Sequence, residues 1–160
     1  MKNYTQNSEE TNWPWVESPF FSELLKNQDL TDEQKELAIK YNKDGYVVID
    51  LGLSDEEIEQ CKLDVNFLNN KDDANIQNPR YHYSQGKRIF EAWKECESLL
   101  ALANHPKVYE TLKMLYKREP YPFQTITFNY GSNQPLHSDT IHFDSMLQRW
   151  LSAVWVALED

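Results

Sequence analysis

The hydrophobic pattern of this chain changes period once, near Pro122, and that switch restricts the fold more than any other feature. Before it, apolar residues recur at spacings of three and four, the period of a helix facing a core. After it, threonines, aromatics and β-branched residues alternate or run together, as strands do. Helices early and strands late predict an α+β fold.

Within the first block, Thr31-Asp-Glu-Gln34 matches a capping box and predicts a helix carrying Leu37, Ala38 and Tyr41. Asp44-Gly45 is its stop, glycine suiting a left-handed residue. Tyr46-Val-Val-Ile-Asp50 reads as a short buried strand. Ser54-Asp-Glu-Glu57 caps a second helix, whose Ile58, Cys61, Val65 and Leu68 share one face. Residues 69–80 form a polar loop by composition. Arg88–Trp93 leads into a helix bearing Cys96, Leu99, Leu100 and Ala103, and Pro106 opens another through Val108, Leu112 and Leu115. Residues 1–30 read as an arm with little regular structure, its aromatic groups at Trp13-Pro-Trp15 and Pro19-Phe-Phe21 packing across the domain.

In the second block, Phe123–Tyr130 is strand-like, Gly131–Pro135 is a turn or short loop, and Leu151–Leu158 is an apolar strand expected to be buried on both faces.

Composition narrows the function classes. The net charge of −10 is concentrated in residues 1–80, which hold 17 acidic and 8 basic side chains; residues 81–160 hold 9 and 8. No basic stripe exists to neutralise phosphates, so nucleic acid is not expected as a partner. No apolar run is long enough for a membrane helix, and the first residues lack the apolar stretch of a secretory leader. A soluble, cytoplasmic protein is the expectation. Cys61 and Cys96, the two cysteines, lie among apolar neighbours and read as buried free thiols.

The chemistry-bearing motif is His137-Ser-Asp139. In an extended segment residues i and i+2 lie on the same side, so one imidazole and one carboxylate can aim at a common point. That pair is two-thirds of a 2-His-1-carboxylate facial triad, which leaves three positions open on ferrous iron. Three-residue motifs of this kind also arise by chance on polar loops. The context is what lifts this one: a strand and a proline-containing turn precede it, and an apolar segment with Trp155 follows.

Four segments resemble the phytanoyl-CoA dioxygenase family. Asp44-Gly-Tyr-Val-Val-Ile49 looks like its opening strand and Ser54-Asp-Glu-Glu-Ile58 like the helix after it. Pro135-Leu-His-Ser-Asp139 resembles its metal-binding segment, and Trp155-Val-Ala-Leu-Glu-Asp160 its tryptophan-containing strand. They cover roughly residues 40–160 in the family's order. The resemblance implies a double-stranded β-helix, or jelly-roll barrel, with His137 and Asp139 as iron ligands. It also implies iron(II), with 2-oxoglutarate and molecular oxygen as co-substrates. The implied activity is hydroxylation of a small molecule, coupled to decarboxylation of 2-oxoglutarate to succinate. Polar residues on the strand before the metal segment, Gln124, Thr127 and Asn129, become candidates for holding 2-oxoglutarate, although ordinary half-buried strand positions explain them equally well.

Other histidines are weighed separately. His142 could be a third local ligand, but its five-residue offset from His137 points it to the opposite face of a regular strand. It is left as a substrate-facing or plain loop residue. Trp155 reads chiefly as core packing beneath the site, with a substrate contact as the alternative. His82 and His105 read as ordinary. The family's second histidine and its 2-oxoglutarate-binding arginine belong to later strands, and neither His142 nor Arg149 matches those positions. The sequence therefore reads as an arm (1–30) followed by the N-terminal half of an oxygenase domain (31–160). On that reading the chain alone binds iron weakly and turns over little 2-oxoglutarate. Association through the apolar strand near residue 155 is expected. A non-catalytic remnant, or a binding subunit that needs a separate C-terminal half, is the alternative.

Overall fold

Two reciprocal capping boxes start the longest helices. In the computed structural model, which describes residues 13–71, 88–128, 137, 139 and 148–159, Thr31 Oγ1 accepts from the Gln34 backbone N–H (3.2 Å) and Gln34 Oε1 accepts from the Thr31 N–H (3.0 Å). Helix α2 follows, Asp32–Asp44, and stops at Gly45, whose φ of 78° is the left-handed value that glycine adopts without penalty. Ser54 and Glu57 make the same reciprocal pair, at 3.2 and 2.8 Å, ahead of α3, Asp55–Asn70.

The chain divides into two compact units. The first comprises Met1–Asp50, Lys107–Pro120 and Asp139–Ala153. It holds a single-turn 3-10 helix at Trp15–Glu17, α1 (Phe21–Lys26), α2 and most of α5 (Pro106–Tyr116). Its core consists of Trp15, Val16, Phe21, Ala38, Leu115 and Tyr116. Trp15 stacks on Phe21 with ring centroids 5.4 Å apart, and its indole N–H donates to the Met114 carbonyl at 3.2 Å. Asn42 donates to the Val16 carbonyl (2.7 Å), and the Tyr41 and Tyr116 hydroxyls share a 2.6 Å hydrogen bond. The aromatic groups at Trp15 and Phe21 are thus packed into the core of the first unit. Trp15 and Val16 are the wall on which α2 and α5 close.

The second unit comprises Leu51–Pro106, Tyr121–Ser138 and Val154–Asp160. Its core gathers Cys61, Val65 and Leu68 from α3, Ile89 from β1 (Arg88–Phe90), and Ala92, Cys96 and Leu99 around the start of α4 (Glu97–Ala103). The α3 face is the one its spacing predicted, and both cysteines are buried free thiols, as expected. β1 pairs antiparallel with β2 (Ile126–Phe128), in the register Arg88 with Phe128, Ile89 with Thr127 and Phe90 with Ile126.

Among the described residues the architecture is therefore mixed, helices with a two-stranded antiparallel sheet. Two strand expectations need correction. Tyr46–Asp50 forms no strand, and Tyr46 and Val48 are 61% and 79% exposed. Leu151–Leu158 likewise enters no ladder, and Trp155 is 71% exposed rather than packed in a core. A β-branched run becomes a strand only when another strand satisfies its backbone, and no described segment pairs with either. Arg88–Trp93 does lead into a helix, α4, and reaches it through β1 and a tight turn. Glu91, at φ 60°, separates β1 from a 3-10 turn at Ala92–Lys94, and a left-handed residue cannot continue a regular element. Among the described residues no helix is long and apolar enough to cross a membrane.

Candidate functional site

Strand β2 exists because Ile126 and Phe128 can flank Thr127 against β1. The Glu91 N–H extends the pairing by donating to the Thr125 carbonyl at 2.9 Å. Thr127 is half-buried at the centre of this ladder, opposite Ile89. Gln124 lies just before β2 and is exposed. Asn129 and His142 lie outside the described residues, as does His82.

Of the proposed metal ligands, His137 is exposed and belongs to the second unit, whereas Asp139 is half-buried and belongs to the first. Each takes part in interactions of its own. As a donor set, an imidazole and a carboxylate without thiolate suit a ferrous ion. Among the described residues there is no group of three or more His, Cys, Asp or Glu side chains that could hold a metal ion.

Trp155 lies flat on Phe128, with centroids 5.7 Å apart and an interplanar angle of 2°. The Arg88 guanidinium sits 5.6 Å from the same Phe128 ring. The tryptophan segment thus meets β2, the strand that precedes His137 in sequence, within one compact unit.

Two features escaped the sequence reading. Thr125, two residues before Thr127 and on its side of an extended chain, buries an Oγ1 with no hydrogen-bond partner among the described residues. The alternation of threonines at 125 and 127 was the available signal. The second feature is a cavity of about 150 Å³ beside α3 and α4, lined by Leu53, Glu57, Cys61, Ser98, Leu102 and His105. Its polar groups are already engaged. Glu57 caps α3, and the hydrogen bonds from Ser54, with a smaller contribution from the His105 charge, hold its carboxyl below the usual carboxylate range. Ser98 donates to Asp64 at 2.5 Å. Little polar capacity remains there for a ligand.

Compared with family models, with curated proteins and with solved structures, the chain matches none. What the residues can do therefore rests on their own chemistry.

Proposed function

We propose that this chain belongs to an iron(II)- and 2-oxoglutarate-dependent oxygenase of the phytanoyl-CoA dioxygenase type, hydroxylating a small molecule. The observation that carries the reading is the flat stack of Trp155 on Phe128. Trp155 lies in the segment that resembles the family's tryptophan-containing strand, and it packs on β2, which precedes the metal-binding segment in sequence; that proximity supports the reading. On this reading residues 31–160 make up the N-terminal half of a jelly-roll domain, an architecture of roughly eight strands.

His137 and Asp139 would then hold iron(II), offering one neutral nitrogen and one anionic oxygen and leaving an open face. The bound metal, with 2-oxoglutarate and dioxygen, supplies the oxidative chemistry. The chain's own part is to bind and orient. Thr127, Gln124 and Asn129 would donate to a dicarboxylate, and His142 and Trp155 would face the substrate.

Succinate formation from 2-oxoglutarate, measured with ferrous iron across a panel of small metabolites, tests this. Iron-dependent succinate that disappears in His137→Ala is the expected result. Iron bound through His137 without turnover would favour a binding subunit. Succinate or iron binding indifferent to His137 would remove the site.

A further inference from the structure

The cavity beside α3 and α4 has an apolar inner wall and a polar rim. Leu53, Ala101 and Leu102 line it together with the Cys61 thiol. Cys61 is 4% exposed, whereas Glu57, Gln60 and Ala101 are exposed at the edge. All of these residues belong to the second unit. The polar atoms of the rim are turned to partners of their own. Glu57 accepts from the Ser54 N–H at 2.8 Å, and Gln60 and Ser98 both donate to Asp64, at 3.1 and 2.5 Å. His105 takes part in an interaction as well. Among the described residues no hydrogen bond engages the Cys61 thiol.

This division selects the occupant. A water held against the inner wall would lack the roughly two to four polar partners that keep buried water in place. An ion would leave its hydration shell for leucine and alanine side chains, at a cost that an uncharged wall does not offset. An uncharged hydrocarbon group meets neither objection and removes apolar surface from water. A soft, polarisable sulfur is also a favourable neighbour for an aromatic ring. The volume of about 150 Å³ sets the size, because apolar cavities of about that volume take up a single ring. The exposed edge at Gln60 and Ala101 leaves a way in that does not require unfolding.

We infer that this cavity is a binding site for one small, uncharged, apolar molecule, about the size of a single ring, seated against the Cys61 thiol. The site uses neither His137 nor Asp139 and stands apart from the oxygenase reading.

The test reads the two thiols of the full chain separately. Cys96 lies in the same core, 7% exposed, and does not line the cavity, so it is the internal control. Burial pushes the Cys96 thiol pKa up, so each thiol is compared with itself, with and without guest. Alkylation by iodoacetamide at neutral pH is followed by peptide mass spectrometry, with benzene as the probe. Benzene should slow alkylation of Cys61 saturably, by about fivefold at about four times its dissociation constant, and leave Cys96 unchanged. Benzoate, the same ring carrying a charge, should protect neither thiol. Ala101→Phe, at an exposed helix position, should slow Cys61 by itself and abolish the further effect of benzene. Saturation-transfer NMR on benzene should show the same saturable binding in wild type and its loss in Ala101→Phe. The inference is overturned if benzene leaves Cys61 unaffected, protects Cys96 equally, or protects Ala101→Phe as well as wild type. Protection by benzoate as strong as by benzene overturns it too.

Discussion

Replacing Tyr116 with Phe tests how the first unit is held together, because it removes one oxygen and keeps the ring. Tyr116 is 7% exposed, and its hydroxyl lies 2.6 Å from that of Tyr41. Loss of one buried hydrogen bond costs a net ~0.5–1.5 kcal/mol. The stronger signature is in pH. Burial first, and then the hydrogen bond shared with Tyr41, push the Tyr116 phenol far above its ordinary value of 10.0. In the unfolded chain this tyrosine releases its proton near that ordinary value, while the folded unit keeps it. The stabilisation is therefore complete below about pH 10 and falls above it by up to ~1.4 kcal/mol per pH unit for this residue. Urea unfolding followed by circular dichroism, at neutral pH and near pH 11, separates the two effects. Tyr116→Phe should be less stable than wild type at neutral pH and should lose less on moving to alkaline pH. Tyr41→Phe, which leaves the Tyr116 phenol buried, should keep most of the alkaline loss. If Tyr116→Phe declines as steeply as wild type, the alkaline sensitivity comes from elsewhere and the reasoning fails.

Other consequences follow from the same packing. Leu68 is 1% exposed at the centre of the second unit's core, so Leu68→Ala should cost ~2–5 kcal/mol in denaturant unfolding. Thr31→Ala and Ser54→Ala should each cost ~1 kcal/mol, visible as lost helical circular dichroism on heating. The Glu57 carboxyl is held low by Ser54, so its contribution is present above the ordinary carboxylate range and disappears as pH falls through the lowered one. Ser54→Ala should therefore flatten the acid dependence of α3 helicity, and an unchanged acid profile would contradict the capping account.

Helices were legible where local chemistry decides them. Thr31-to-Gln34 and Ser54-to-Glu57 carry their own start signals, Gly45 its stop, and the α3 face its period. Strands were legible only in part: β2 falls within the strand expected over 123–130, whereas 46–50 and 151–158 enter no ladder, because a strand depends on a partner distant in sequence. Val48 and Trp155 look the same on the page as Ile89 or Phe128, yet only the latter pair lies in a ladder. The packing role of Trp15, Val16 and Phe21 was hidden for a related reason. A 3-10 turn and a six-residue helix are too short to show a period, so their aromatic residues signalled contact without saying with what. At the candidate site, sequence spacing named a plausible donor pair, His137 and Asp139. It could not supply the remaining ligands, which in any fold come from other segments.

The most direct test of the metal proposal is a ferrous-ion titration, under anaerobic conditions, of wild type, His137→Ala, Asp139→Ala and the double variant. If both side chains grip one ion, each single change weakens binding by at least about tenfold, and the double change adds far less than the sum of the two. Affinity untouched by either substitution, or losses that simply add as for two independent sites, would contradict it.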